Sequence, residues 1–281
     1  MLFEIRHETK FRYDKPVFFE PLTIRLRPRS DPAQRLLDHR LTVSPRPDGM
    51  CDCIDLEGSP SVVAWFSGLH AELSLTATSR VETLRSDPFA YILTGERTER
   101  IPAAYDPPYR SALGVHLRRP ERPAGVREFA RQIAEAVDWE TLPFLSQLAH
   151  RIHADFETEI REIGEPLPAS ITERRRKGAC RDFALLYMEA CREMGVAARF
   201  VSGYADDDTE PVQRHLHAWV EVYLPGGGWR GYDPTLGLAV ADRHVALAAA
   251  YRANMAAPTS GVFRGTGAEA SIEYSIASAV R

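Results

Sequence analysis

Hydrophobic and polar residues alternate along much of the first 84 residues. Residues 22–27 (LTIRLR) and residues 72–77 (ELSLTA) each place apolar side chains at every second position, and Pro and Gly separate such runs. A period of two is typical of strands with one buried face, and the punctuation is typical of turns between antiparallel strands. We therefore predict that residues 1–84 form a small antiparallel β domain.

The pattern changes twice in the rest of the chain. Residues 85–123 carry six prolines and little periodicity, which predicts a connector that lies over the surface. Apolar residues then recur at helical spacing and predict two amphipathic helices. Their apolar positions are Val126, Phe129, Ala130, Ile133 and Val137, followed by Leu142, Leu145, Leu148, Ala149 and Ile152.

A third helix is predicted to start near Cys180 and to end before Gly195. Its apolar stripe comprises Phe183, Leu186, Tyr187, Ala190, Cys191 and Met194, and Gly195 occupies the place of a C-terminal cap. Residues 196–204 predict a strand, residues 215–235 a hairpin, and the C-terminal residues one or two more strands. Residues 124–281 are therefore predicted to form a second domain, of the α+β class.

Composition narrows the classes of partner and compartment. The 281 residues are 44% hydrophobic and 26% charged, with a formal net charge of −4. This balance gives no reason to expect nucleic acid or an anionic membrane as a partner. The sequence has no apolar run of the ~18–20 residues that a spanning helix needs, and its first residues do not resemble a signal peptide. With four cysteines and no disulfide-scaffold pattern, we expect a cytoplasmic protein with free thiols.

Cys180 is the candidate nucleophile. It lies in the first turn of a predicted helix, where the helix dipole and free N–H groups favour the thiolate form of a cysteine. The preceding cations at residues 174–177 would add positive potential, although a solvated loop is the simpler interpretation of this run. A thiolate needs a proton acceptor that later protonates the leaving group, and this acceptor is usually histidine.

The predicted hairpin supplies such a histidine. His217 shares one strand face with His215 and Trp219, and the GGG turn places Asp233 opposite residues 219–220. A carboxylate there would bind one ring nitrogen of His217 and leave the other free to face sulfur. A single bulge would reverse the side-chain direction of Asp233, so the sequence does not decide on which face of the hairpin this side chain lies.

Several motifs resemble one known family. GACRDFA, HAWVEVYLPGGGWRGYDPT and DRHVALA resemble the core motifs of the bacterial transglutaminase-like superfamily, and IRHETKFRYDKPV, RLRPR and LTATSRVE resemble its β-rich N-terminal region. The resemblance implies a papain-like α+β core in which a cysteine at a helix N-terminus packs on an antiparallel sheet that bears His and Asp. Matched residue by residue, it assigns the nucleophile to Cys180, the base to His217 and the orienting acid to Asp233.

One position departs from the family pattern. The residue after the nucleophile is often Gln in relatives, and here it is Arg181. A cation beside the thiol suggests an altered substrate preference. Alternatively, Asp182 pairs with Arg181 and the change has no consequence.

Metal and calcium sites are weaker alternatives. His215 and His217 have a spacing that can bind zinc. Cys51 and Cys53, considered as a further pair of ligands, lie in the other domain. The acidic segment 205–210 lacks EF-hand spacing. We therefore expect no metal and no cofactor, and we see no constellation around the remaining histidines, which are His7, His39, His70, His116, His150, His153 and His244.

The sequence thus predicts thiol-dependent acyl transfer or hydrolysis at a carboxamide, either a peptide bond or a glutamine side chain. The resemblance favours a cysteine protease or amidase over a transglutaminase, and a protein or peptide as substrate. Relatives encoded near ATP-grasp-like proteins further imply a peptide-modifying pathway. Two other hypotheses are a catalytically inactive peptide-binding module of the same fold and a zinc hydrolase that uses His215 and His217.

Overall fold

The computed structural model describes residues 1–94, 98–119, 123–161, 163–206 and 215–281. Six strands follow one another through the first 84 residues, as the alternation predicts. They are β1 (Leu2–Phe19), β2 (Leu22–Ile24), β3 (Gln34–Ser44), β4 (Gly49–Ile54), β5 (Pro60–Trp65) and β6 (His70–Thr83). Apolar side chains at alternate positions, such as Phe3 and Ile5 of β1 and Leu73 and Leu75 of β6, are buried.

The three C-terminal strands return to this N-terminal region. They are β14 (Thr259–Ser260), β15 (Phe263–Arg264) and β16 (Ala270–Val280). β16 pairs with β1 over Phe3–Tyr13, β15 extends the other end of β1, and β14 pairs with β2. The predicted division assigned these residues to the second domain at 124–281. Sequence alternation predicts a strand but not its partner, so the pairing had to come from the structure.

Two sheets result, both antiparallel. One has five strands, in the order β15-β1-β6-β3 with β16 also on β1, and the other has the order β14-β2-β5-β4. Their facing side chains form one apolar cluster, which also includes Tyr204, Val245 and Leu247 from the second half of the chain. The N-terminal sheets therefore share a core with the rest of the molecule.

The described residues in the middle of the chain form five α-helices: α1 (Pro107–Ala112), α2 (Ala124–Ala136), α3 (Thr141–Asp155), α4 (Ala169–Arg175) and α5 (Cys180–Glu193). α2, α3 and α5 confirm the three helices predicted from helical spacing. α1 lies within the proline-rich segment, and α4 was not predicted. Because α4 has only seven residues, it offers too short a pattern for periodicity to detect.

A second five-stranded antiparallel sheet supports α5. Its strands are β9 (Ala198–Ala205), β10 (His217–Leu224), β11 (Gly228–Asp233), β12 (Leu238–Ala239) and β13 (His244–Ala250), in the order β12-β11-β10-β9-β13. Ala218, Val220 and Val222 of β10 pack with the stripe of α5. A short parallel pair, β7 (Glu157–Thr158) with β8 (Lys177–Gly178), leads into α5.

The opposite face of this sheet is buried as well. Glu221 of β10 accepts hydrogen bonds from Arg29 at 2.5 and 3.2 Å and from Arg199 at 2.8 Å. Although burial alone would raise the pKa of Glu221, the two guanidinium groups lower it to about 2. Since Arg29 belongs to the N-terminal region, this ion pair fixes that region to the sheet that carries the hairpin.

Tyr105 is one residue that attaches the proline-rich segment to the rest of the molecule. Tyr105 donates to the carbonyl of Tyr223 at 2.7 Å and accepts from the N–H of Ala197 at 3.0 Å. Among the described residues, the helices are all too short or too polar to cross a bilayer.

Candidate active site

The thiol of Cys180 lies at the first residue of α5, where the sequence predicts the helix to begin. Its Sγ is 3.9 Å from the carbonyl oxygen of Leu216, the residue before β10. Helix and hairpin therefore meet at the thiol. The first N–H groups of a helix have no intrahelical acceptor, so the start of α5 also offers donors at this point.

A buried carboxylate holds the start of α5 in place. Asp182 accepts from the N–H of Ala179 at 2.8 Å and from the N–H of Leu167 at 2.7 Å. Arg161 donates to both of its oxygens, at 2.9 and 2.7 Å. Gly178 makes room for this arrangement, because a Cβ there would lie 2.9 Å from the Cβ of Asp182. The ion-pair partner of Asp182 is therefore Arg161, not Arg181 as one sequence alternative proposed.

The hairpin brings His217 to Asp233. Tyr232 stands opposite Val220, as the GGG turn predicts, so Asp233 comes next to the start of β10 without a bulge. His217 Nε2 donates to Asp233 Oδ2 at 2.6 Å. Because a carboxylate only accepts, the proton lies on Nε2 and Nδ1 remains for Cys180.

Asp233 has a second imidazole partner that the sequence did not predict. His244 Nε2, at the first residue of β13, donates to the same Oδ2 at 2.9 Å. The other oxygen accepts from the N–H groups of Thr235 and Leu236 at 2.8 and 3.1 Å. The prediction that His244 belongs to no constellation is therefore wrong. His244 lies in the DRHVALA motif, which was the available signal for a role in the site. The motif does not indicate which residue His244 contacts.

A tryptophan packs the two imidazoles together. The Trp219 ring stacks on His217 at 6.3 Å between centroids and meets His244 edge-on at 5.1 Å. Gly203, which pairs with His217 across the sheet, leaves space for this indole. A Cβ there would come within 2.6 Å of the ring and 2.2 Å of the Val245 carbonyl oxygen. Both rings are therefore fixed in orientation before any substrate binds.

The contacts of His217 and Asp233 determine the protonation states of these two residues. Burial lowers the pKa of His217, but the charge and hydrogen bond of Asp233, together with a hydrogen bond to Cys180, raise it well above its ordinary value. Burial likewise opposes ionisation of Asp233, yet His217 and His244 lower the pKa of its carboxyl below the usual range. The arrangement favours an imidazolium between a carboxylate and a sulfur.

Cys180 and His217 open into one cavity of about 600 Å³. The N-terminal region forms one wall with His7 and Thr9 of β1 and Ile272 and Tyr274 of β16. The rest of the lining includes Arg161, Arg181 and residues 164–166. The cleft is thus lined by both halves of the chain.

Among the residues that the structure describes, His215 is not one of those that could bind a metal ion together with His217. His215 Nδ1 is 2.6 Å from the hydroxyl of Tyr274, on the wall of the cleft. The described residues that could hold a metal ion are instead His217, Asp233 and His244, whose ligand atoms lie within 4.8 Å of one another. The Nε2 atoms of His217 and His244 are both at hydrogen-bond distance from Asp233, so a metal ion would have to replace these two hydrogen bonds.

The remaining cysteines lie away from the cleft. Cys51 and Cys53 project from β4 with their sulfurs 3.8 Å apart. Cys191 is fully buried in α5, and burial raises the pKa of its thiol. In the segment proposed as a calcium alternative, residues 207–210 lie outside the described residues.

Comparisons with known proteins agree with this architecture. A protein from Cytophaga hutchinsonii, described as a candidate cysteine protease, has the same fold at a TM-score of 0.74. It is 22% identical in sequence, and the match covers 100% of this chain and 91% of that one. An uncharacterised protein of Mycobacterium tuberculosis is 28% identical over 260 residues, which is 87% of this chain and 82% of that protein. A protein-glutamine gamma-glutamyltransferase of Pseudomonas aeruginosa is 36% identical over 67 residues, 21% of this chain and 10% of that one.

Family models match both halves of the sequence. Residues 3–82 match the bacterial transglutaminase-like N-terminal region, and residues 127–234 match the transglutaminase-like superfamily. The second match spans the start of α5 and the whole hairpin, and so includes Cys180, His217 and Asp233. This chain belongs to the transglutaminase-like superfamily and carries the family's bacterial N-terminal region.

Proposed function

We propose that the protein catalyses thiol-dependent acyl transfer or hydrolysis at a carboxamide, with Cys180 as nucleophile, His217 as acid and base, and Asp233 as the orienting carboxylate. The observation that carries this proposal is the position of His217, which bonds Asp233 at 2.6 Å and faces Cys180 across the same cleft.

The chemistry follows from these positions. The thiolate of Cys180 attacks the carbonyl carbon, and the C–N bond breaks as His217 gives its proton to the leaving amine. The N–H of Cys180 donates to the oxyanion. Water or a second amine then attacks the thioester, with His217 accepting its proton, and the thiolate is regenerated.

Hydrolysis is the preferred outcome in this proposal, and transfer to an amine is the alternative. The protein of the same fold from Cytophaga hutchinsonii is described as a candidate cysteine protease, whereas the shorter match from Pseudomonas aeruginosa is a glutamyltransferase. The substrate would be a protein or peptide. The cytoplasmic location and the link to ATP-grasp-like proteins stay predictions.

A peptide library with and without a primary amine, analysed by mass spectrometry, tests the proposal. Cleaved or deamidated peptides that form with the wild type but not with Cys180→Ala support hydrolysis, and amine adducts support transfer. If wild type and Cys180→Ala give the same products, the catalytic proposal fails and the inactive peptide-binding module becomes the better account.

A further inference from the structure

We infer that Arg181 is a carboxylate-binding residue of the cleft, so that the substrate carries a free carboxylate close to the carboxamide that Cys180 attacks. This inference rests on the proposed function and names a feature of its substrate. Arg181 directly follows Cys180 in α5, and both line the same cavity.

The guanidinium of Arg181 has unused donors. Its Nη2 donates to the carbonyl of Ile163 at 2.9 Å, while within the described residues its Nε is buried without a hydrogen-bond partner. A buried donor without an acceptor is costly, and a ligand oxygen would remove that cost.

Among the described residues, two of the nearby acids, Asp182 and Glu159, are engaged with other cations. Asp182 is occupied by Arg161 and by two backbone N–H groups. Glu159 lies 3.5 Å from Arg175 and 4.0 Å from Arg161. Glu165 lines the cavity but lies at its exposed rim. Among the described residues, Arg181 forms no ion pair with a carboxylate.

Its electrostatic surroundings also favour an incoming anion. Burial and the charge of Arg161 lower the pKa of Arg181, although Cys180 and Asp182 oppose this effect. The group stays a cation, because the guanidinium does not lose its proton in proteins. A carboxylate bound by two parallel N–H donors would offset both the burial and the repulsion.

Two alkylating reagents that differ by one charge test this inference. Iodoacetate and iodoacetamide both transfer a carbon to sulfur with loss of iodide, but iodoacetate alone carries a carboxylate. The ratio of their rates at Cys180 cancels any change in the thiolate fraction. We expect Arg181→Gln to lower the iodoacetate-to-iodoacetamide ratio about tenfold, and Arg181→Lys to give an intermediate ratio.

Arg174→Gln is the matched control, because Arg174 is an exposed cation of α4 outside the cavity lining. It should leave the ratio unchanged. An equal fall in Arg174→Gln, or an unchanged ratio in Arg181→Gln, would exclude the carboxylate site while leaving the thiol chemistry intact. A Cys180 that resists both reagents in the wild type would overturn the proposed function and this inference together.

Matched peptides then identify the source of the carboxylate. One pair differs in a free or amidated C-terminus beside the glutamine, and the other in a Glu or Gln side chain at the same distance. The wild type should discriminate within one of these pairs and Arg181→Gln should not. Equal discrimination by both proteins would contradict the inference.

Discussion

Two aspartates with fully buried side chains, Asp182 and Asp233, bond residues that line the cleft, and their partners differ in kind. Asp182 bonds two backbone N–H groups and the guanidinium of Arg161. Asp233 also bonds two backbone N–H groups, but its other partners are the imidazoles of His217 and His244.

The difference in partner gives the two aspartates different roles: Asp182 stabilises the structure, and Asp233 controls proton transfer. A guanidinium keeps its charge at every working pH, so the Asp182–Arg161 pair fixes the helix that presents Cys180. An imidazole gains and loses a proton near neutral pH, so Asp233 controls a group that can move protons. Burial alone does not distinguish the two carboxylates, whereas their partners do.

The largest effect should follow from Asp233→Asn. The amide has a single acceptor oxygen for the donors that Asp233 now serves, and it removes the charge that keeps His217 protonated with Nδ1 towards sulfur. We expect the rate on the best peptide substrate to fall about 10⁴-fold. Steady-state kinetics measure this, and a loss smaller than tenfold would show that Asp233 does not orient the base.

Asp182→Asn should act on stability first. It leaves the guanidinium of Arg161 beside a neutral amide and weakens the hold on the start of α5. We expect the free energy of unfolding to fall by about 3 kcal/mol, measured by urea denaturation.

Asp155→Asn provides the matched control for that change. Asp155 pairs with Arg151 at 2.7 Å on the surface of α3, with both side chains about 40% exposed. Its loss should cost no more than about 0.5 kcal/mol. If the two variants are equally stable, the Asp182 pair does not support the helix start as we describe.

The pKa of His217 reports directly on its contact with the Asp233 carboxylate. Because its pKa is raised in the folded protein, the stability that the charged pair supplies is present below the ordinary histidine pKa of ~6.5. It is lost as the pH rises through the higher folded value. NMR titration should place the midpoint of His217 above ~6.5 in the wild type and about 1–3 pH units lower in Asp233→Asn. A midpoint near ~6.5 in both proteins would contradict the assigned network.

The smallest effect should come from His244→Gln. The amide can still donate to Asp233 but no longer packs against Trp219, so we expect activity to fall about tenfold with little change in the His217 midpoint. His150→Gln, at an exposed position of α3, is the control. A loss as large as that of Asp233→Asn would mean that His244 takes part in the chemistry directly.

The sequence predicted the parts of this site that local patterns encode. Helical spacing and Gly195 located α5 and hence Cys180, and the GGG turn set the register that places Asp233 beside His217. These features depend on neighbours in the chain, so periodicity and turn chemistry suffice to find them.

Long-range contacts could not be predicted in the same way. Arg161 lies 21 residues before Asp182, and His244 reaches Asp233 from another strand. The pairing of β16 with β1 joins the two ends of the chain and supplies Tyr274 to the cleft wall. Each of these contacts depends on which surfaces the folded sheets bring together, and no local pattern specifies that choice.

The central claim is that His217 activates Cys180, and the rate of iodoacetamide alkylation of Cys180 against pH tests it most directly. The wild type and His217→Ala are compared, with the modified site identified by peptide mapping. We predict rapid alkylation of the wild type at pH 6–7 and a marked loss of that rate in His217→Ala. Equal rates in both proteins, rising only towards the ~8.5 of an ordinary thiol, would contradict the account.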